Sequence, residues 1–192
     1  MPYQELYNLR QRQDSPSLDL QWFYDHALNL GWVNSIKMVR TEALDASVLC
    51  GIMLRRDNPA DHGLTSDYVI ITSKDLDPLK EKIVAMKEIM QIYRPDVSER
   101  NATELGFDNF VRQFFGNSAM PHVNAVTSEF KALWMALGVV CPEHYRRRYI
   151  IELCEEDGRP LADIANEMEV SEFHASRMLT DQYSDEIQGL LT

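Results

Sequence analysis

Leu79, Ile83, Met86, Met90 and Tyr93 recur at steps that alternate between four and three residues, which puts them on one side of a helix spanning 78–93. A helix with one apolar side needs cover, so the chain must supply a sheet or further helices against it. Candidates lie on both sides in sequence. Before it, Tyr68-Val69-Ile70-Ile71-Thr72 is a β-branched and aromatic run that predicts a strand entering the helix through the turn 73–77. After it, residues 129–143 carry Phe130, Leu133, Trp134, Leu137 and Val140 or Cys141 as a wide apolar stripe ending at Pro142. Ala132 and Ala136 on that segment allow a neighbour to approach closely.

The rest of the chain predicts an α+β fold that is mostly helical. Leu20, Phe23, Tyr24, Ala27, Leu28 and Leu30 fit a helix that starts at Ser17 or Asp19 and stops at Gly31. Residues 35–39 and 47–54 are rich in strand formers, and a loop over 55–66 leads back to the strand at 68–72, so a small antiparallel sheet packed on helices is expected. Phe107, Phe110, Val111 and Phe114 share one side of a further segment. Residues 1–16 are rich in Gln, Arg and Asp without a clear period and are expected to form a mobile arm. The predicted organisation is therefore an arm over 1–16, a core over 17–145 and a C-terminal helical subdomain over 146–192 packed on that core.

Nineteen basic against thirty acidic side chains give a net charge of −11, which disfavours binding to a phosphate backbone. Cys50, Cys141 and Cys154 are odd in number, far apart and set among apolar residues, as expected of buried thiols in a reducing cytoplasm. Residues 1–17 hold no apolar leader run, and no stretch approaches 18 apolar residues, so neither secretion nor a membrane span is expected.

Within the central helix, Lys87-Glu88-Ile89-Met90-Gln91 sets Lys87 and Gln91 one turn apart with Glu88 beside them. In an H-E-x-x-H helix those two places hold histidines that reach one zinc, and the glutamate takes a proton from the metal-bound water. A lysine ammonium has no free lone pair and a glutamine amide is a poor zinc donor, so this helix does not hold zinc in that way. By itself the five-residue window is equally an amphipathic helix with a charged border. The order of strand, central helix and proline-closed helix resembles the ImmA/IrrE family of small zinc peptidases. There a later helix of the form E-A-x-x-F-A-x-x-L-L-x-P supplies the third ligand. Counting back from Pro142 places Ala132 and Ala136 on the family's alanines, Val139 and Val140 on its leucines, and Lys131 on the ligand glutamate, with Glu129 two residues early.

The resemblance implies a zincin-like helix pair whose metal positions are substituted, a degenerate site of Lys87, Glu88, Gln91 and Lys131 with no cofactor. It implies a catalytically inactive protein that acts by binding another protein. Active members cut a helix-turn-helix repressor and are bacterial, often on phages and mobile elements, so the implied partner is such a transcription regulator and the implied role that of an antirepressor or adaptor. His122, on a loop between the two helices, is the one residue that with Glu88 would rescue a metal site, and an active metallopeptidase with non-standard ligands is one alternative.

The last segment supplies the other. Residues 161–168, then Val170-Ser171 and Arg177-Met178-Leu179, resemble a helix-turn-helix in which Glu169 replaces the usual turn glycine. A DNA-binding regulator would contact its ligand through Arg146, Arg147, Arg148, Ser171, His174 and Arg177. Residues 155–192, however, hold ten acids and two arginines, which makes this unit a packing element or protein-docking surface before a DNA reader. Arg146, Arg147 and Arg148 point in three directions around a helix and are expected to pair with nearby glutamates.

Overall fold

The computed structural model of the protein describes residues 2–17, 19–47, 49–58, 60, 62, 64–94, 123–155 and 157–191, and for 123–128 the backbone alone. His122 and the apolar residues Phe107, Phe110, Val111 and Phe114 lie outside the described residues. The described elements run α1 (Pro2–Arg10), α2 (Leu20–Leu28), β1 (Val33–Thr41), β2 (Gly51–Asp57), β3 (Ser66–Ser73), α3 (Pro78–Ile92), α4 (Val123–Val140), α5 (Glu143–Cys154), α6 (Leu161–Glu167), α7 (Glu172–Met178) and α8 (Asp181–Leu191). The chain is α+β and mostly helical.

Local chemistry sets the helix starts. Asp19 accepts from the Gln21 and Trp22 N–H groups at 3.0 and 3.3 Å, opening α2. Asp77 accepts from the Leu79 and Lys80 N–H groups at 3.1 and 3.0 Å, and Pro78 follows it as the first helical residue of α3. A short acceptor next to a residue with fixed φ is a strong start signal.

The three strands lie in the order β1-β3-β2, with β3 parallel to β1 and antiparallel to β2. The sheet is thus mixed, where the sequence predicts an antiparallel one. Alternating burial reports which face a side chain takes and is blind to strand direction. The chain turns from β1 into β2 leaving a gap between them, and β3 returns to fill it. Tyr68, Ile70 and Thr72 of β3 are buried, and α2 and α3 pack on the sheet. At Gly51 a Cβ would sit 2.4 Å from Val84 Cγ1, so a glycine is what lets α3 come this close to β2.

Helix α4 is the centre of the helical layer. Ala132, Trp134, Met135, Ala136, Leu137, Val139 and Val140 are all buried, as expected of a helix covered on every side. α3 lies against it, as do α1, α7 and α8. At Gly138 a Cβ would meet Tyr3 Oη at 2.5 Å and Ile187 Cδ1 at 2.8 Å, so α1 and α8 close over α4 where it has no side chain. A single run of core contacts extends from Tyr3 to Ile187.

The N-terminus corrects the expected mobile arm. Residues 2–10 form a helix that buries Tyr3, Leu6 and Arg10. Arg10 donates from Nε to the Val139 carbonyl at 2.9 Å and from Nη2 to the Val140 carbonyl at 2.7 Å, and also to the Ser15 and Ser17 carbonyls. Periodicity misses α1 because two apolar residues and one arginine make its buried side. A cation at the carbonyl end of α4 also suits the helix dipole. Replacing Arg10 by lysine removes most of these bonds in a buried place and is expected to cost about 3 kcal/mol, against about 1 kcal/mol for Tyr3→Phe, which loses one bond to the Met135 carbonyl. Urea unfolding of both variants checks this; a mobile arm would leave both unchanged.

Candidate functional site

Lys87, Glu88 and Gln91 lie where α3, α4 and β2 meet. Glu88 is 3% exposed. Its Oε1 stands 2.8 Å from Lys87 Nζ, a charge contact off the hydrogen-bonding direction. The Met53 N–H on β2 also donates to the carboxylate. Lys87 pairs in addition with Glu129 of α4, and Gln91 Nε2 donates to the other Glu129 oxygen at 3.1 Å. The Gln91 carbonyl oxygen in turn accepts from Arg94 Nη1 at 3.0 Å. The two residues one turn apart on α3 therefore converge on a single carboxylate of α4, directly above the buried Glu88.

Glu129, not Lys131, faces α3. Counting residues back from Pro142 matches letters and not direction: Lys131 lies two residues on, about 200° around the helix from Glu129, and takes no part in these contacts. The available signal was helical phase. Glu129 shares a face with Ala132 and Ala136, the small residues that admit α3.

Burial raises the Glu88 pKa above the ordinary carboxylate value, Glu129 adds to the rise, and the Lys87 charge and Met53 N–H offset only part of it. Burial also opposes the Lys87 ammonium, but Glu88 and Glu129 outweigh it and hold its pKa above the usual lysine value. The residues present do not fit a zinc ion. The Lys87 ammonium and the Gln91 amide stand where two ligands would be needed, and the Lys87 charge would repel a dication. Among the described residues no group of three or more His, Cys, Asp or Glu side chains is placed to hold a metal; His122 lies outside them.

The other predicted contact residues are dispersed. Arg146 is buried, donating to both Glu143 oxygens, to the Met178 carbonyl at 3.0 Å and to Ser184 Oγ at 3.1 Å. Arg147 is exposed and pairs with Glu143, and Arg148 pairs with Glu152 and Glu167. Arg146 and Arg147 meet on Glu143 and only Arg148 turns to other acids, so the expected three directions reduce to two. Ser171 and His174 bond each other at 2.8 Å, and His174 is turned toward Asp77 and Lys80 at the start of α3, its pKa lowered by burial. Arg177 lies over the Phe173 ring at 4.7 Å. Helices α6 and α7 flank a turn in which Glu169 adopts φ 54°, and Glu169 pairs with Lys82 of α3. Of the three cysteines, Cys141 is buried, with its thiol pushed up to about 12, but Cys154 is exposed, against expectation. Sequence reasoning missed Lys82 and set Glu129 aside as two residues early, since each acts across elements far apart in the chain.

Comparison with protein-family models, curated proteins and solved structures finds no match.

Substitutions at Glu88 and Glu169 test these contacts. Because the folded pKa of Glu88 is raised, the stability tied to this group is full below the unfolded value and declines as pH rises through the interval above it. Glu88→Gln lacks that decline, so its unfolding free energy in urea should gain on the parent's as pH rises above the ordinary carboxylate range, whereas a carboxylate favoured by its ion pair would make it fall behind. Glu88→Ala, which leaves the Met53 N–H and part of the Lys87 charge unanswered, should cost about 3 kcal/mol at neutral pH. In the α6–α7 turn, Glu169→Gly relieves a left-handed conformation at the loss of one surface pair and should raise the unfolding midpoint by the equivalent of about 1 kcal/mol. A drop would mean that the Lys82 pair outweighs the backbone.

Proposed function

We propose that the protein is a catalytically inactive relative of the ImmA/IrrE-type zinc peptidases, acting as a regulatory factor that binds another protein. The observation that carries this reading is the convergence of Lys87 and Gln91 on Glu129 above the buried Glu88. Those three residues take the places that two histidines and a third ligand take in a zincin, and the ammonium supplies positive charge where the dication would stand. Among the described residues a proton-abstracting role for Glu88 has no support, since burial and Lys87 take up the carboxylate and no ligand set stands there to activate water.

The partner proposed is a helix-turn-helix regulator, bacterial or phage-encoded, in the cytoplasm, with the chain acting as antirepressor or adaptor. A protein contact suits the α6–α7 unit better than DNA. Arg146 and His174 are turned inward, Arg148 is paired, and the surrounding residues 155–192 carry ten acids. No helix among the described residues is long and apolar enough to cross a membrane.

The test restores the motif. Lys87→His with Gln91→His, keeping Glu129, should bind about one zinc per chain by elemental analysis, and Glu129→Ala in that background should abolish binding. A folded double variant that takes up no zinc overturns the zincin geometry. About one tightly held zinc in the unaltered protein overturns the inactive reading and favours a working peptidase with other ligands.

A further inference from the structure

We propose that the open edge of β1 is a docking site for an extended segment of a protein partner, one that alternates acidic and apolar residues and pairs with β1 as a fourth strand. Strand β1 has β3 on one side and no strand on the other among the described residues. It runs for nine residues, long enough to template a partner strand. The Lys74 N–H donates to the Thr41 carbonyl at 2.9 Å. Residues in step with Thr41, namely Val39 and Lys37, therefore turn their main chain toward β3, and Ile36, Met38 and Arg40 turn theirs to the open edge.

The side chains along this edge are accessible and of one sign. Met38 is 39% and Val39 45% exposed, one on each face of the strand. Lys37 and Arg40 are its charges, and β1 carries no acid in a chain of net −11. Arg40 keeps half its surface in solvent while pairing with Glu81 at 2.7 Å. The neighbouring Asp67 is held by Ser35 Oγ at 2.6 Å and Asn34 Nδ2 at 2.7 Å, and has no direct ion pair with Lys37 among the described residues. A second copy of β1 would set these cations against their own kind, so self-pairing is disfavoured. An acidic strand answers them, and its alternate apolar residues lie beside Met38 and Val39.

This inference takes up the binding role proposed above but stands on the sheet edge, so failure of the double-histidine variant to bind zinc leaves it intact. The test uses the full chain and a fluorescent nine-residue peptide of alternating valine and glutamate, read by anisotropy, beside the same peptide with lysine for glutamate. Saturable binding of the acidic peptide is expected, roughly tenfold tighter than the basic one and weakened by salt. Met38→Pro removes a donor that faces the open edge and not the β3 ladder, so it should keep the fold by circular dichroism and lose the peptide. Lys37→Glu should weaken binding roughly tenfold by charge alone. No saturable binding, equal affinity for both peptides, or undiminished affinity in folded Met38→Pro and in Lys37→Glu overturns the proposal; the edge would then be one that Lys37 merely protects.

Discussion

Because Glu88 is buried, the charge that balances it must come from within reach of α3, and among the described residues Lys87 supplies it. That lysine cannot serve Glu88 alone. It is held in place by Glu129 from α4, and Glu129 is steadied in turn by Gln91. The contact between α3 and α4 is therefore apolar over most of its area and closed at one side by a short chain of charges. Taking such a cluster out of water is costly, and attraction within it recovers that cost only when every member is answered. The position of α4 follows from this contact, and α1, α7 and α8 are arranged around α4.

Arginine does comparable work at two other helix ends. Arg10 satisfies the last carbonyls of α4, and Arg146 reaches the Met178 carbonyl at the end of α7. A guanidinium presents several donors in one plane, so a single side chain satisfies carbonyls from different elements while favouring the negative end of a helix dipole. Both anchors join distant parts of the chain. Burial of Arg10 makes the N-terminal helix part of the core, and burial of Arg146 with pairing of Arg147 and Arg148 to glutamates keeps the run of three arginines from making a basic patch.

At one side of the contact between α3 and α4, two donors on α3 meet one acceptor on α4. A metal binds its ligands through lone pairs, whereas Lys87 and Gln91 offer protons to Glu129. Glu129 is the common acceptor of both. The same helix α3 is tied to the α6–α7 unit through Lys82 and Glu169.

The amino-acid sequence by itself determined the elements: the apolar rows of α3 and α4, the Asp19 and Asp77 caps and the three strands all follow from periods of a few residues and from local hydrogen bonding. It also determined that Lys87, Glu88 and Gln91 share one turn. Tertiary structure alone decided that Glu129 and not Lys131 completes their cluster, because that depends on which side of α4 meets α3. It decided likewise that β3 runs parallel to β1, since alternation is the same for both directions, and that residues 2–10 are anchored, since their main hold is one arginine on carbonyls more than a hundred residues away in sequence. Each of these turns on a contact between elements, and a side chain's partner across space leaves no period in the chain that carries it.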